Sequence, residues 1–279
     1  MPLDQGTPEE LEEKNMSFFD HLDELRKHLM RSVLVLIIWV VVAFIYIDYL
    51  FHKVILGPVQ TDFLSYRALC AISELLNNTS RLCIDTINIQ LVNLQVQGQF
   101  IAAFKISLIA GFILSFPYLL WEFWRFIKPA LSMYEKKMAT GLVTVCSLLF
   151  FMGVSFGYFV LSPISIHFFV GFTISDSIAN QPTFQNIVSL VSVLSVGTGL
   201  LFELPILMYF LAKVGLSSSA FLIQYRKYAL FIIIILSAMV TPPDMVSQLV
   251  LGMPIYLLYE IGITLTKNVE KKRKQEYGI

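Results

Sequence analysis

Six apolar segments, at about 29–50, 100–124, 138–161, 187–214, 228–241 and 245–266, alternate with stretches that carry most of the charge. That pattern leaves few folds open. A bilayer offers no water to exposed backbone N–H and C=O groups, so a spanning segment must satisfy them internally, as a helix does. Runs near 20 residues match helices crossing a hydrocarbon core of about 30 Å. With 56% hydrophobic and 14% charged residues in 279, and a mean hydropathy of +0.71, the chain has too little polar surface for a soluble globule. The expected fold is all-α and polytopic, with six transmembrane helices.

Residues 1–15, with Asp4, Glu9, Glu10, Glu12 and Glu13, read as a disordered acidic lead, and no cleavable signal peptide is expected. The membrane domain is placed at 16–266 and a basic tail at 267–279. Ser17 to Asp20 has the form of a capping box, and Phe18, Leu22, Leu25 and Leu29 recur at helical spacing. An amphipathic helix therefore leads into the first span. The connection 51–99 is too long for a structureless loop and is expected to hold short helices or a hairpin. Pro117 is expected to kink the second span, Pro163 to end or bend the third, and Pro205 to kink the fourth. The fifth segment is shorter than the roughly 17 residues a full crossing needs. With the sixth it is expected to form a short hairpin joined by Thr241 to Asp244, where Asp244 caps the sixth helix.

Alternating the loops between two sides leaves only Lys53, Arg67, Arg81 and Lys105 on one of them; the other side holds the rest of the 20 Lys and Arg. By the positive-inside rule the basic side is cytoplasmic, with both termini on it. No nucleotide loop, metal-ligand spacing or hydrolase signature is present in the sequence. Metal, cofactor and nucleic-acid chemistry are not expected.

Few residues remain that could carry function. Glu203 is the one carboxylate of the fourth segment, about 15 Å along the helix from Lys213, hence near mid-membrane. A charge there costs about 2.5 to 3.5 kcal/mol on insertion scales, which marks it as functional by default. It can serve as a proton relay, a polar point facing a cavity, or a hydrogen-bond hub. Glu24 and Glu135 lie close to the cytoplasmic surface. From spacing alone the plainer reading is local pairing of Glu24 with Lys27 or His28, and of Glu135 with the next helix start. Glu260 is shallow enough to snorkel, and Asp244 and Gln248 could make a polar patch near the exported surface. Cys70 and Cys83 are candidates for a disulfide in the exported loop, while Cys146 is an apolar packing residue.

Four stretches then resemble one family, TatC, the receptor of the twin-arginine protein translocase. They are Met16 to Leu29 (MSFFDHLDELRKHL), Phe126 to Glu135 (FIKPALSMYE), Phe202 to Pro205 (FELP) and Thr241 to Gln248 (TPPDMVSQ). The resemblance implies a glove-like six-helix protein of the bacterial cytoplasmic (inner) membrane that binds twin-arginine signal peptides. It implies assembly with single-span TatA and TatB partners, transport driven by the proton motive force, and no catalysis. Association with further copies of the chain is left open. Glu24, Glu135 and Phe126 would form the signal-peptide site, with Arg26 of the same motif beside them, and Glu203 would face the concave groove. Two features depart from the family pattern: His28, where Arg or Lys is common, and a longer first exported loop bearing the cysteine pair. A proton-coupled small-solute transporter using Glu203 as its relay is the alternative from another class.

Overall fold

The computed structural model describes residues 18–60, 62–75, 91–127, 139–175, 181–242 and 244–277. Helix α1 (Phe18–Ile45) runs unbroken from the amphipathic stretch into the first span. No Gly or Pro interrupts it, so helix propagation continues. It passes through Ile47–Tyr49 and a π-helical turn, Leu50–Ile55, into a 3₁₀ turn at Gly57–Val59.

Within the long connection a helix does form, α2 (Leu64–Leu75). Tyr66 ties it down, donating its hydroxyl to the carbonyls of Pro58 at 2.9 Å and Pro163 at 3.3 Å. Burial pushes this phenol up to about 12, so it remains a donor at any physiological pH. Cys70 lies on α2 and is disulfide-bonded, whereas Cys83 lies outside the described residues.

Helix α3 (Gly98–Ile127) contains Pro117 without ending there. It lies along α1, and at Gly111 the two backbones come so close that an added Cβ would stand 2.8 Å from the Val40 nitrogen. The third span extends further than 161. Helix α4 (Ala139–Phe156) continues through a π-helical turn, Gly157–Leu161, into α5 (Ser162–Gly171). Pro163 falls in the first turn of α5, where a missing N–H costs no helical hydrogen bond, so the chain passes it without stopping.

The fourth segment is two helices, α6 (Phe184–Leu201) and α7 (Leu204–Val214). Thr183 caps α6 by accepting from the Asn186 N–H. Pro205 sits in the first turn of α7, so the break falls just before it, at Phe202 and Glu203. Gly215 ends α7 at φ 84°, a left-handed conformation that closes the helix with bonds to Ala212 and Leu211. Then follow α8 (Ser219–Gln224), α9 (Arg226–Val240) and α10 (Met245–Tyr277).

Five helical stretches among the described residues are long and apolar enough to cross a membrane: Leu22–Ile45, Gly98–Ile127, Gly141–Gly171, Phe184–Val214 and Met245–Lys271. At 15 residues, α9 is the short fifth helix of the sequence reading, rising only about 22 Å. The sixth is not short. It extends past Thr266 because Lys267 to Tyr277 contains no helix breaker and continues the helix as a charged extension. Glu270 anchors that extension by accepting from the Ser219 backbone N–H at 2.8 Å and from its hydroxyl.

Two buried apolar clusters hold the helices together. One joins Ile55, Ile106, Ile166 and Val188 at the face opposite the start of α1, and the other joins Leu161, Leu194, Leu251 and Ile255. Two buried hydroxyls, Ser107 and Thr198, are satisfied locally, each donating to the carbonyl one turn back, at 2.8 and 2.5 Å. Large apolar side chains such as Met30, Leu34 and Ile45 stay exposed on the outside of α1, the arrangement expected of a lipid-facing surface. The chain is a multi-pass membrane protein.

Candidate functional site

The start of α1 meets the end of α3, where His28 pairs with Glu122. Glu24, His28 and Arg31 recur at spacings of four and three, so they share one side of α1. Tyr118, Glu122 and Arg125 do the same on α3. His28 and Glu122 are buried, at 8% and 1% exposure, and the His28 Nδ1 pairs with Glu122 Oε2. Tyr118 donates its hydroxyl to the other oxygen, Oε1, at 2.8 Å. Both Glu122 oxygens are therefore occupied.

This arrangement corrects the local pairing that spacing favours for Glu24. Its helical neighbour His28 is bound across the interface, Lys27 is exposed, and the Glu24 Oε2 is buried with no hydrogen-bond partner among the described residues. A buried carboxylate oxygen left unpaired costs about 1 to 3 kcal/mol or more, so it favours any donor that can reach it. The ring of Phe126 stands edge-on to His28 with centroids 6.3 Å apart, so Phe126 and Glu24 flank the same histidine. Arg26 is exposed, and the Arg125 guanidinium lies over the Trp121 ring at 5.4 Å. Glu135 lies outside the described residues.

Glu122 had no place in the sequence reading. Its signal was there: a lone carboxylate in the apolar run Leu119-Leu-Trp-Glu-Phe-Trp124, and an unusual histidine on another segment. No spacing rule links residues 94 positions apart, so only the fold joins them.

The remaining candidates make other contacts. Glu203 stands at the break between α6 and α7, half-buried, beside Cys146 and the backbone of Phe150 on α4. Its Oε1 has no hydrogen-bond partner among the described residues, so those contacts leave one oxygen over. Glu260 is held by Arg226 Nη2 at 2.7 Å and by the Tyr256 hydroxyl at 3.2 Å. Asp244 caps α10, accepting from the Ser247 N–H at 2.6 Å, and is buried. Gln248 is exposed and reaches instead to the Ile234 carbonyl on α9, at 3.2 Å. One turn separates them, but their side chains serve different contacts. An open apolar pocket of about 380 Å³ lies between α3, α4 and α6, lined by Ile113, Val154, Tyr158 and Ser195. Glu203 is not among its lining residues.

For Glu203 the expected result is that Glu203→Gln, which keeps a hydrogen-bonding amide but cannot ionise, retains most transport in an export assay. Complete loss with normal assembly would restore the proton relay.

Comparison with known proteins bears on this geometry. The profile of the family described as Sec-independent protein translocase protein (TatC) matches residues 20–254. The Sec-independent protein translocase protein TatC of Blattabacterium sp. subsp. Periplaneta americana is 39% identical over 265 residues, covering 94% of this chain and 99% of that protein. The corresponding protein of Carboxydothermus hydrogenoformans is 33% identical, covering 94% and 97%. A crystal structure of the twin-arginine translocase receptor TatC superposes with a TM-score of 0.69 at 31% identity, covering 90% of this chain and 99% of that one.

Proposed function

Because the chain belongs to the TatC family of Sec-independent protein translocases, we propose that the α1–α3 cluster is where it receives the twin-arginine signal peptide of a folded substrate. The observation that carries this reading is the Glu24 Oε2: buried, unpaired among the described residues, and one helical turn from His28, whose ring meets Phe126. Arginine presents a planar fork of five donors that fits a carboxylate in bidentate fashion, and two neighbouring arginines call for two carboxylates. Glu24 supplies one and Glu135 the other. Phe126 offers an apolar edge against which the guanidinium stem can lie.

On this reading the face bearing α1's start and α10's extension is cytoplasmic, in agreement with its lysines and arginines, and the membrane is the bacterial inner membrane. The chain acts as a transport component rather than an enzyme: it docks cargo and assembles with single-span TatA and TatB partners, while the proton motive force drives transport. Asp244 and Gln248, near the exported ends of α9 and α10, are candidates for contacts with such partners.

Exposed ion pairs contribute only about 0.2 to 1 kcal/mol each, so two of them in water would discriminate poorly. A partly desolvated carboxylate does better, because a lysine ammonium cannot fill both of its oxygens in one plane. The test is a binding comparison on the purified chain in detergent. A twin-arginine signal peptide is expected to bind at least about tenfold more tightly than its Lys-Lys variant, a difference of about 1.4 kcal/mol. Equal affinities would remove recognition from this cluster and leave a passive assembly scaffold.

A further inference from the structure

Glu24 and His28 are one helical turn apart, a spacing at which a carboxylate and an imidazole normally meet. Here they do not. The imidazole is turned to Glu122 on α3, which is itself held from the other side by Tyr118. We infer that Glu122 and Tyr118 are positioning residues for signal-peptide recognition, keeping His28 engaged so that the Glu24 carboxylate stays open to an incoming guanidinium. This inference rests on the α1–α3 cluster being the recognition site.

Three observations carry it. First, Glu122 is nearly solvent-free and both its oxygens are taken, one of them by His28; a carboxylate so placed competes for the imidazole far better than a half-exposed one. Second, the Glu24 Oε2 is buried yet unpaired, although a donor lies one turn away on its own helix. Third, the Phe126 ring stands edge-on to the His28 ring, an apolar contact on a second side of the imidazole that a leucine can also make. The charged and titratable groups around His28 are Glu24, Lys27 and Arg31 on α1 and Tyr118, Glu122 and Arg125 on α3. Among them Glu122 is the group that His28 pairs with. A TatC-type site with Arg or Lys in place of His28 would have a longer cation able to reach water; the shorter imidazole needs a fixed partner.

The mechanism makes a prediction that a merely structural pair would not. Removing Glu122 releases His28 to pair with Glu24 and so to compete with the peptide; removing His28 as well takes the competitor away. In Glu122→Leu the twin-arginine peptide is expected to bind about fivefold more weakly, the upper end for a partly exposed ion pair that must be displaced. In the double variant His28→Leu, Glu122→Leu, affinity is expected to return to within twofold of the unaltered chain, and replacing both members of a buried pair by apolar residues is well tolerated in stability. Affinities are read by fluorescence anisotropy on the full chain in detergent, with Glu24→Ala as reference. Unchanged binding in Glu122→Leu, or a double variant as weak as the single, would overturn the inference. Should Glu122→Leu fail to fold, Glu122→Gln is read by the same two criteria, since it keeps an acceptor for Tyr118 while removing the charge that holds His28. If Glu24→Ala itself binds normally, it is the recognition site that falls, and the positioning role with it.

Discussion

Replacing Glu24 and Glu135 together by alanine is expected to abolish crosslinking to a twin-arginine signal peptide, and Glu24→Ala alone to weaken binding by at least about tenfold. The size follows from where the Glu24 oxygen sits. A hydrogen bond to a charged group contributes about 1.5 to 3 kcal/mol where water is excluded, against about 0.2 to 1 kcal/mol for an ion pair in water. The Glu24 Oε2 is buried and has no internal partner among the described residues, so an arginine that reaches it breaks no hydrogen bond already made to that oxygen. Stability should hardly suffer, because removing an unpaired buried oxygen takes away a penalty instead of a bond. Asp23, the exposed neighbour on α1, is the control: Asp23→Ala keeps the net charge change and is expected to leave affinity within twofold. Normal crosslinking in the Glu24, Glu135 double variant would place the arginines elsewhere on the chain.

What the sequence made legible, and what it did not, divides along the range of the interactions. Helices written in long apolar runs, such as α1 and α3, could be read directly, because hydropathy and the need to satisfy backbone groups act locally. The positions of the prolines were readable too, but their effects were not. Pro163 and Pro205 each stand in the first turn of a new helix, where the missing N–H is harmless, and which side of a proline a helix breaks on is decided by neighbours in space. The length of α10 was underestimated because Lys267 marks where the membrane-like composition ends, and a helix has no reason to stop there. At the proposed site, Glu24 and Phe126 are named through resemblance to the family motifs. Glu122 was not, because its meaning depends on His28 arriving from a different helix. Long-range pairing leaves no periodic trace in a single sequence.

The seam between α4 and α6 shows how strongly such unseen contacts constrain the chain. At Gly157 an added Cβ would stand 2.3 Å from the Leu194 carbonyl oxygen and 2.9 Å from the Ser195 Cα; at Gly153, one turn earlier, it would stand 2.7 Å from the Thr198 carbonyl oxygen. These are backbone atoms, so no side chain can swing aside. Lipid tails are as apolar as leucine, which leaves close packing of small residues to hold membrane helices together. Gly157→Leu is therefore expected to force α4 and α6 apart and prevent recovery of folded protein. Gly157→Ala is expected to lower stability by about 1 to 3 kcal/mol, the range for overpacking a filled interface. Intrinsic helix propensity argues the other way, favouring alanine over glycine by about 1 kcal/mol, so a net loss would show that packing wins. Gly141→Ala separates the two effects, because nothing lies within 4 Å of a Cβ there; propensity alone acts, and its stability is expected to stay level or rise. Thermal unfolding in detergent reads both variants, and equal behaviour would mean that the seam is not held by close approach. The outcome reaches Glu203 as well. Glu203 follows directly from the end of α6 and lies against Cys146 and Phe150 of α4, so whatever spreads this seam moves the one carboxylate of the fourth segment.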